Sequence, residues 1–184
     1  PCFCTRKDIA EEIARAGIAP QGPDGPIYPG ICRNLMAAER GAFIKAGLSY
    51  ALRLDVDKAF GRVGPLDFMD YDLGRVDVDP KSIGDIVLAR KDVSTSYHLS
   101  VSVDDALQGI TNVTRGEDLL PATHIHRLLQ ALLGLPKPEY HHHRLLRDDE
   151  GRRFAKRDGA MTLRSLRADG QSPVEIRALI GFSD

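Results

Sequence analysis

Between residues 86 and 145 the hydrophobic period switches repeatedly, and this alternation limits the fold more than any other feature of the chain. Residues 86–90, 109–115 and 140–145 read as short strands. Between them, residues 97–107 and 121–134 read as helices. In the second, Ile125, Leu128, Leu129 and Leu132 recur at helical spacing after Pro121 and Thr123, and Gly134 and Pro136 end the run. Strand, helix, strand, helix, strand with short connections calls for an α/β fold, in which helices cover a parallel sheet.

The residues around this block are organised differently. Residues 1–34 open with cysteines, continue through an amphipathic stretch from Asp8 to Ala16 that Thr5 can cap, and cross a Gly/Pro-rich loop at 20–26. A second helix is expected over 35–47, stopped by Gly47, and alternation over 50–56 and 74–79 signals strands. The tail, 163–182, holds two short helical segments around Gly170 and Pro173, with Ser172 as a cap.

Composition sets the class. Of 184 residues, 42% are hydrophobic and 28% charged, the balance of a soluble globular protein. A net charge of -1 gives no global attraction to nucleic acid, so RNA contact would need a local patch. Arg144, Arg147, Arg152, Arg153, Lys156, Arg157, Arg164 and Arg167 supply one. No apolar stretch approaches the ~20 residues needed to span a bilayer, so no membrane partner is expected. Three cysteines near one end do not make a disulfide framework, and a reducing cytoplasm is the natural setting.

Those cysteines have a chemistry of their own. Cys2 and Cys4, followed by Tyr28 and Cys32, offer three thiols and a phenol within one loop-closed segment. Zinc favours such sulfur-rich, closed sites. On spacing alone the alternative stands that Cys2 and Cys4 are terminal thiols while Cys32 and Tyr28 pack in a core. Tyr97 opens one helix and Arg115 closes the next strand; ligands of open α/β sheets collect at the carboxyl ends of strands, where a guanidinium can grip a carboxylate with two parallel bonds. From the residues alone, a surface ion pair of Arg115 with Glu117 or Asp118, and Tyr97 as an amphipathic boundary residue, are the preferred readings. His141, His142 and His143 sit on a strand, so alternation sends them to opposite faces and they cannot converge on one ion.

The segments 96–134 and 148–160 together resemble the second half of the catalytic core of the glutamate branch of class I aminoacyl-tRNA synthetases. Arg153-Phe154-Ala155-Lys156-Arg157 is similar to the KMSKS loop of that class, with Arg for the first Lys and Ala for the Ser. Cys2, Cys4, Tyr28 and Cys32 are similar to the branch's CxC…YxGxCR zinc site. The wording of 121–134 and 162–167 resembles the shortened subfamily of glutamyl-Q tRNA(Asp) synthetases.

The resemblance implies the second half of a Rossmann-type parallel sheet, preceded by a small zinc-binding subdomain and followed by a helical KMSKS-loop tail. The divisions it implies are 1–85, 86–146 and 147–184. Tyr97 and Arg115 would hold L-glutamate, Lys156 would act catalytically on the phosphates of ATP, with Mg2+, and the four-ligand knot would hold structural Zn2+. The implied reaction is ATP-dependent activation of glutamate and its transfer to queuosine in the anticodon of tRNA(Asp), by a monomer. A truncated glutamyl-tRNA synthetase core, or a zinc-stabilised tRNA-binding remnant without catalysis, is the alternative. The HIGH-type segment of the family is not among these residues, so the resemblance implies that they alone neither activate glutamate nor hold ATP tightly.

Overall fold

The computed structural model describes residues 1–16, 21–22, 25–147, 151 and 162–182. They form two compact units, Pro1–His143 and Arg144–Asp184. The first unit begins with α1 (Arg6–Ala16), β1 (Gln21–Gly22), β2 (Gly25–Pro26), α2 (Ala37–Lys45), β3 (Leu52–Leu54) and α3 (Val56–Val63). It continues through β4 (Asp67–Asp70), β5 (Gly74–Asp77), α4 (Pro80–Ile83), β6 (Ile86–Ala89), α5 (Tyr97–Leu107) and β7 (Asn112–Gly116). A 3-10 turn (Glu117–Leu119), α6 (Leu120–Leu133) and β8 (Glu139–His143) complete it.

Local signals account for most helix boundaries. The Thr5 hydroxyl accepts from the Asp8 amide at 3.2 Å while the Asp8 carboxylate accepts from the Thr5 amide at 2.7 Å, so two orphan donors are satisfied reciprocally. Ser96 caps α5 through the Leu99 amide. Gly134 ends α6 in the left-handed region at φ 65°, where a side chain would be strained.

The main sheet has the order β5-β4-β8-β7. β7 and β8 run parallel from Asn112↔Glu139 to Gly116↔His143, joined by the α6 crossover, and β4 lies parallel to β8 at Asp70↔Tyr140. β5 is antiparallel to β4. The sheet is therefore mixed, a correction to the wholly parallel sheet expected from the sequence. The reason is local: Asp70 and Gly74 bracket a tight turn in which Asp70 Oδ1 accepts the amides of Asp72 and Leu73, both at 3.1 Å, and so returns the chain as a hairpin. β6, expected to join the parallel set, pairs antiparallel with β3 in a separate two-stranded ribbon.

α6 sits at the centre of the core. Its Ile125, Leu128 and Leu129 pack with Val56 and Ala59 of α3, Phe68 of β4, Ile83 of α4, Ile86 of β6 and Tyr140 of β8. Phe68 and Leu128 are fully buried. The second unit holds α7 (Leu163–Ala168) and α8 (Pro173–Leu179), capped by Thr162 and Ser172. None of the helices among the described residues is long and apolar enough to cross a membrane.

Candidate functional site

Two clusters of chemically capable side chains lie in the first unit. The first is built on Arg115, in the carboxyl-terminal half of β7. Its Nε donates to His142 Nε2 at 3.2 Å, its Nη1 to His126 Nδ1 at 3.3 Å, and its Nη2 to the Thr123 hydroxyl. The guanidinium also lies 5.5 Å from the Tyr140 ring centroid. Parallel pairing of β7 with β8 sets Arg115 opposite His142, and α6 brings Thr123 and His126 over the same face.

Tyr97 completes the cluster from the start of α5. Its ring is 5.9 Å from that of His126, and its hydroxyl is a hydrogen-bond partner of Arg115. Tyr97 as a whole remains 59% exposed, which leaves it available to a ligand. Burial pulls the Arg115 pKa below its ordinary value, opposed by Tyr140, Tyr97 and Asp105, yet a guanidinium stays charged throughout the accessible range. Three of its five N–H groups are used on His142, His126 and Thr123, so one hydrogen on each Nη remains for Tyr97 or an incoming carboxylate.

Tyr97 and His98 line an open cleft of about 830 Å³ together with Ser96, Leu119 and Arg53. Arg115 is not part of its wall; it stands next to Tyr97. The structure thus brings Tyr97 and Arg115 together. Arg153, Phe154, Ala155, Lys156 and Arg157 lie outside the described residues.

The second cluster is the cysteine knot. Cys4 Sγ is 3.3 Å from Cys32 Sγ, and the Tyr28 hydroxyl is 3.4 Å from Cys2 Sγ and 3.7 Å from Cys4 Sγ. The ligand atoms of Cys2, Cys4 and Cys32 all lie within 4.8 Å of one another. Tetrahedral zinc–thiolate bonds of ~2.3 Å put neighbouring sulfurs about 3.8 Å apart, so the donor set fits such an ion. Cys2, Cys4 and Cys32 would hold it, with Tyr28 at the fourth corner, and the ion would cross-link a segment too small to build a core of its own.

Burial pushes the Cys4 thiol up to about 12, assisted by its hydrogen bond to Cys32. Burial also opposes ionisation of Cys32, but the Phe3 amide and the Cys4 and Tyr28 side chains outweigh it and hold that thiol below its usual value. Burial likewise raises the Tyr28 phenol, whose oxygen accepts the Cys32 amide at 2.8 Å.

The knot is tied to the body of the unit by contacts that sequence reasoning missed. Cys2 and Ala51 exchange backbone hydrogen bonds of 2.7 and 2.9 Å. Arg33 grips Asp85 with two bonds, Nε to Oδ2 at 2.7 Å and Nη2 to Oδ1 at 2.6 Å, while Arg53 lies 4.1 Å over the Tyr28 ring. Asp70, Thr123 and His126 were also unassigned.

Residues 1–182 match the family described as tRNA synthetases class I (E and Q), catalytic domain. The chain belongs to this family of ligases. It is 50% identical to the glutamyl-Q tRNA(Asp) synthetase of Rhodobacter capsulatus, over 98% of this chain and 66% of that protein. Identity is 42% to the protein of that name from Nocardia farcinica, over 97% of this chain and 53% of the relative. The glutamate–tRNA ligase of Aquifex aeolicus is 35% identical over all of this chain and 38% of its own length. The chain thus spans from just over half to just under two-thirds of the two glutamyl-Q relatives. A crystal structure of a glutamate tRNA ligase from Elizabethkingia meningosepticum in complex with its amino acid superposes with a TM-score of 0.64 at 27% identity, over 86% of this chain and 32% of that one.

Proposed function

We propose that the chain is part of an enzyme that activates L-glutamate with ATP and transfers it to queuosine in the anticodon of tRNA(Asp). The observation that carries this reading is Arg115, clamped on three sides with its remaining Nη hydrogens beside the exposed Tyr97, whose hydroxyl is one of its partners. A fixed guanidinium is suited to a carboxylate, and a phenol beside it adds a hydroxyl and a flat wall.

Activation is attack of the glutamate α-carboxylate on the α-phosphorus of ATP, with pyrophosphate leaving. Negative charge builds on the leaving group; the ammonium of Lys156, within the KMSKS-like segment 153–157, is assigned to neutralise it, and Mg2+ bound with ATP would add to that charge balance. The relatives' names supply the choice of tRNA. The knot of Cys2, Cys4, Tyr28 and Cys32 is assigned to structural zinc on the side of the molecule that meets tRNA.

The test uses the polypeptide expressed from the complete reading frame that contains these residues. Glutamate-dependent exchange of pyrophosphate into ATP measures activation, and charging of queuosine-containing against queuosine-free tRNA(Asp) measures transfer. Charging of only the queuosine form supports the proposal. Charging of tRNA(Glu) instead would identify a glutamyl-tRNA synthetase, and tRNA retention without exchange would leave only a binding module.

A further inference from the structure

Arginine cannot accept a hydrogen bond, and that fact fixes the protons on the imidazoles around Arg115. His142 Nε2 faces the Arg115 Nε–H at 3.2 Å, so Nε2 must present its lone pair. The ring proton therefore lies on Nδ1, which points at Asp70 Oδ2 at 2.6 Å. The carboxylate is itself fixed: Oδ2 also accepts the His142 amide at 3.2 Å, and Oδ1 accepts the amides of Asp72 and Leu73. The same logic gives His126 a bare Nδ1 toward Arg115 and a proton on Nε2, directed at His98 Nδ1 at 3.0 Å.

We infer that Asp70, acting through His142, is a positioning residue for Arg115, and that capture of the amino acid's carboxylate at Arg115 is acid-sensitive for this reason. The inference rests on Arg115 being the glutamate grip proposed above. Asp70 and His142 are buried, so neither has water to fall back on when a partner is lost.

The surroundings of His142 fix the direction of the effect. Asp70 faces it from β4, Arg115 from β7 and Thr123 from α6, while Tyr140 of its own strand stacks on it at 5.8 Å. His124 on α6 and His141 on β8 act at longer range. Burial disfavours the imidazolium, and Arg115 and His141 add to that; Asp70 alone favours it, and His142 stays below its usual pKa. A proton placed on Nε2 in acid has the Thr123 hydroxyl at 2.9 Å as its acceptor and takes the lone pair from the Arg115 Nε–H, replacing that hydrogen bond by the contact of two cations.

Asp70→Asn tests the relay without changing shape. The turn amides of Asp72 and Leu73 claim the single amide oxygen, so the NH2 group takes the place of Oδ2, where it drives the His142 proton to Nε2 and also leaves the His142 backbone amide without that acceptor. The expected result is an approximately tenfold or larger rise in the KM for glutamate in pyrophosphate exchange at pH 7.5, with a smaller change in kcat. The imidazole 15N spectrum should show the His142 proton moving from Nδ1 to Nε2, a shift that mere loss of packing would not cause.

For the wild type, the glutamate KM should climb as the pH falls below about 6.5, and His142→Gln should flatten that climb. Melting temperatures of both variants separate loss of fold from loss of positioning. Wild-type His142 carrying its proton on Nε2, or both variants keeping the wild-type KM and pH profile, would overturn the inference while leaving the activity intact. If the wild type lacks glutamate-dependent exchange, the activity reading fails by itself, and the tautomers of His142 and His126 then decide whether the relay to Arg115 exists.

Discussion

Replacing Asp85 by Asn should loosen the attachment of the cysteine knot, and the size of the loss follows from the contacts. Asp85 is 3% exposed and receives the Arg33 fork on both oxygens, while Oδ1 also accepts the Val56 amide at 3.1 Å. That amide is an orphan donor at the start of α3, so Asp85 serves a helix end as well as an ion pair. Removing one partner of a fully buried pair costs about 3–5 kcal/mol. Here the Arg33 side chain retains 36% exposure and can rehydrate, which lowers the expected cost to about 2–3 kcal/mol. Asn keeps an acceptor for Val56 but turns an N–H toward Arg33, so Asp85→Asn isolates the fork. Asp85→Ala should cost about 1–3 kcal/mol more by orphaning the amide.

The assay is urea unfolding followed by far-UV circular dichroism. Since the chain has no tryptophan, tyrosine emission gives a second probe that includes Tyr28 in the knot. A cycle with Arg33→Met should give a coupling of about 1 kcal/mol or more. Asp85→Asn within about 0.5 kcal/mol of wild type, or single effects that simply add, would refute this account of how the knot is held.

Other expectations follow from the same geometry. Purified protein should carry about one zinc per chain by mass spectrometry, and Cys32→Ser or chelation should lower its melting temperature; a metal-free protein with an unchanged melt would count against the site. Arg115→Lys should raise the glutamate KM by about tenfold or more, since an ammonium cannot reproduce the fork; an unchanged KM would remove Arg115 from the substrate. Stability should fall as the pH drops below about 6.5, because His142 has a folded pKa below its unfolded one and its contribution, complete above the unfolded value, is lost on descending through the folded value. Asp70 adds a second loss near and below pH ~4: burial raises its pKa, but His142 and the turn amides outweigh this and hold it below its ordinary value. In His142→Gln the upper step should vanish from the pH dependence of the urea midpoint. Leu128→Ala should cost about 3–5 kcal/mol in the same assay, as a fully buried leucine at the centre of the core.

What could be read from the chain depended on whether the signal was local. α5 occupies the residues 97–107 that the sequence suggested, and Thr5, Ser172 and Gly134 act as the terminators their types announce. Residues 50–56 were expected as one strand, but β3 is only Leu52–Leu54, since Asp55 caps α3 by accepting the Lys58 amide. That helix was legible, with Val56, Ala59, Phe60 and Val63 at helical spacing, and the strand alternation before it concealed the change of period. The cysteine spacing likewise announced a knot of sulfurs and a phenol, which the structure brings together.

By itself, then, the sequence determined elements such as α5, α6, β7 and β8 and the residue types able to do chemistry, because helical period, capping and turn formation involve residues a few positions apart. Tertiary structure alone decided which of them meet. Arg33 and Asp85 are 52 positions apart, and Asp70 and His142 are 72. β6 joins β3 because burial and backbone pairing are settled over the whole unit, and no run of neighbouring residues encodes that choice. The protons on His142 and His126 are fixed at the same level, by an arginine on another strand that has nothing to accept with.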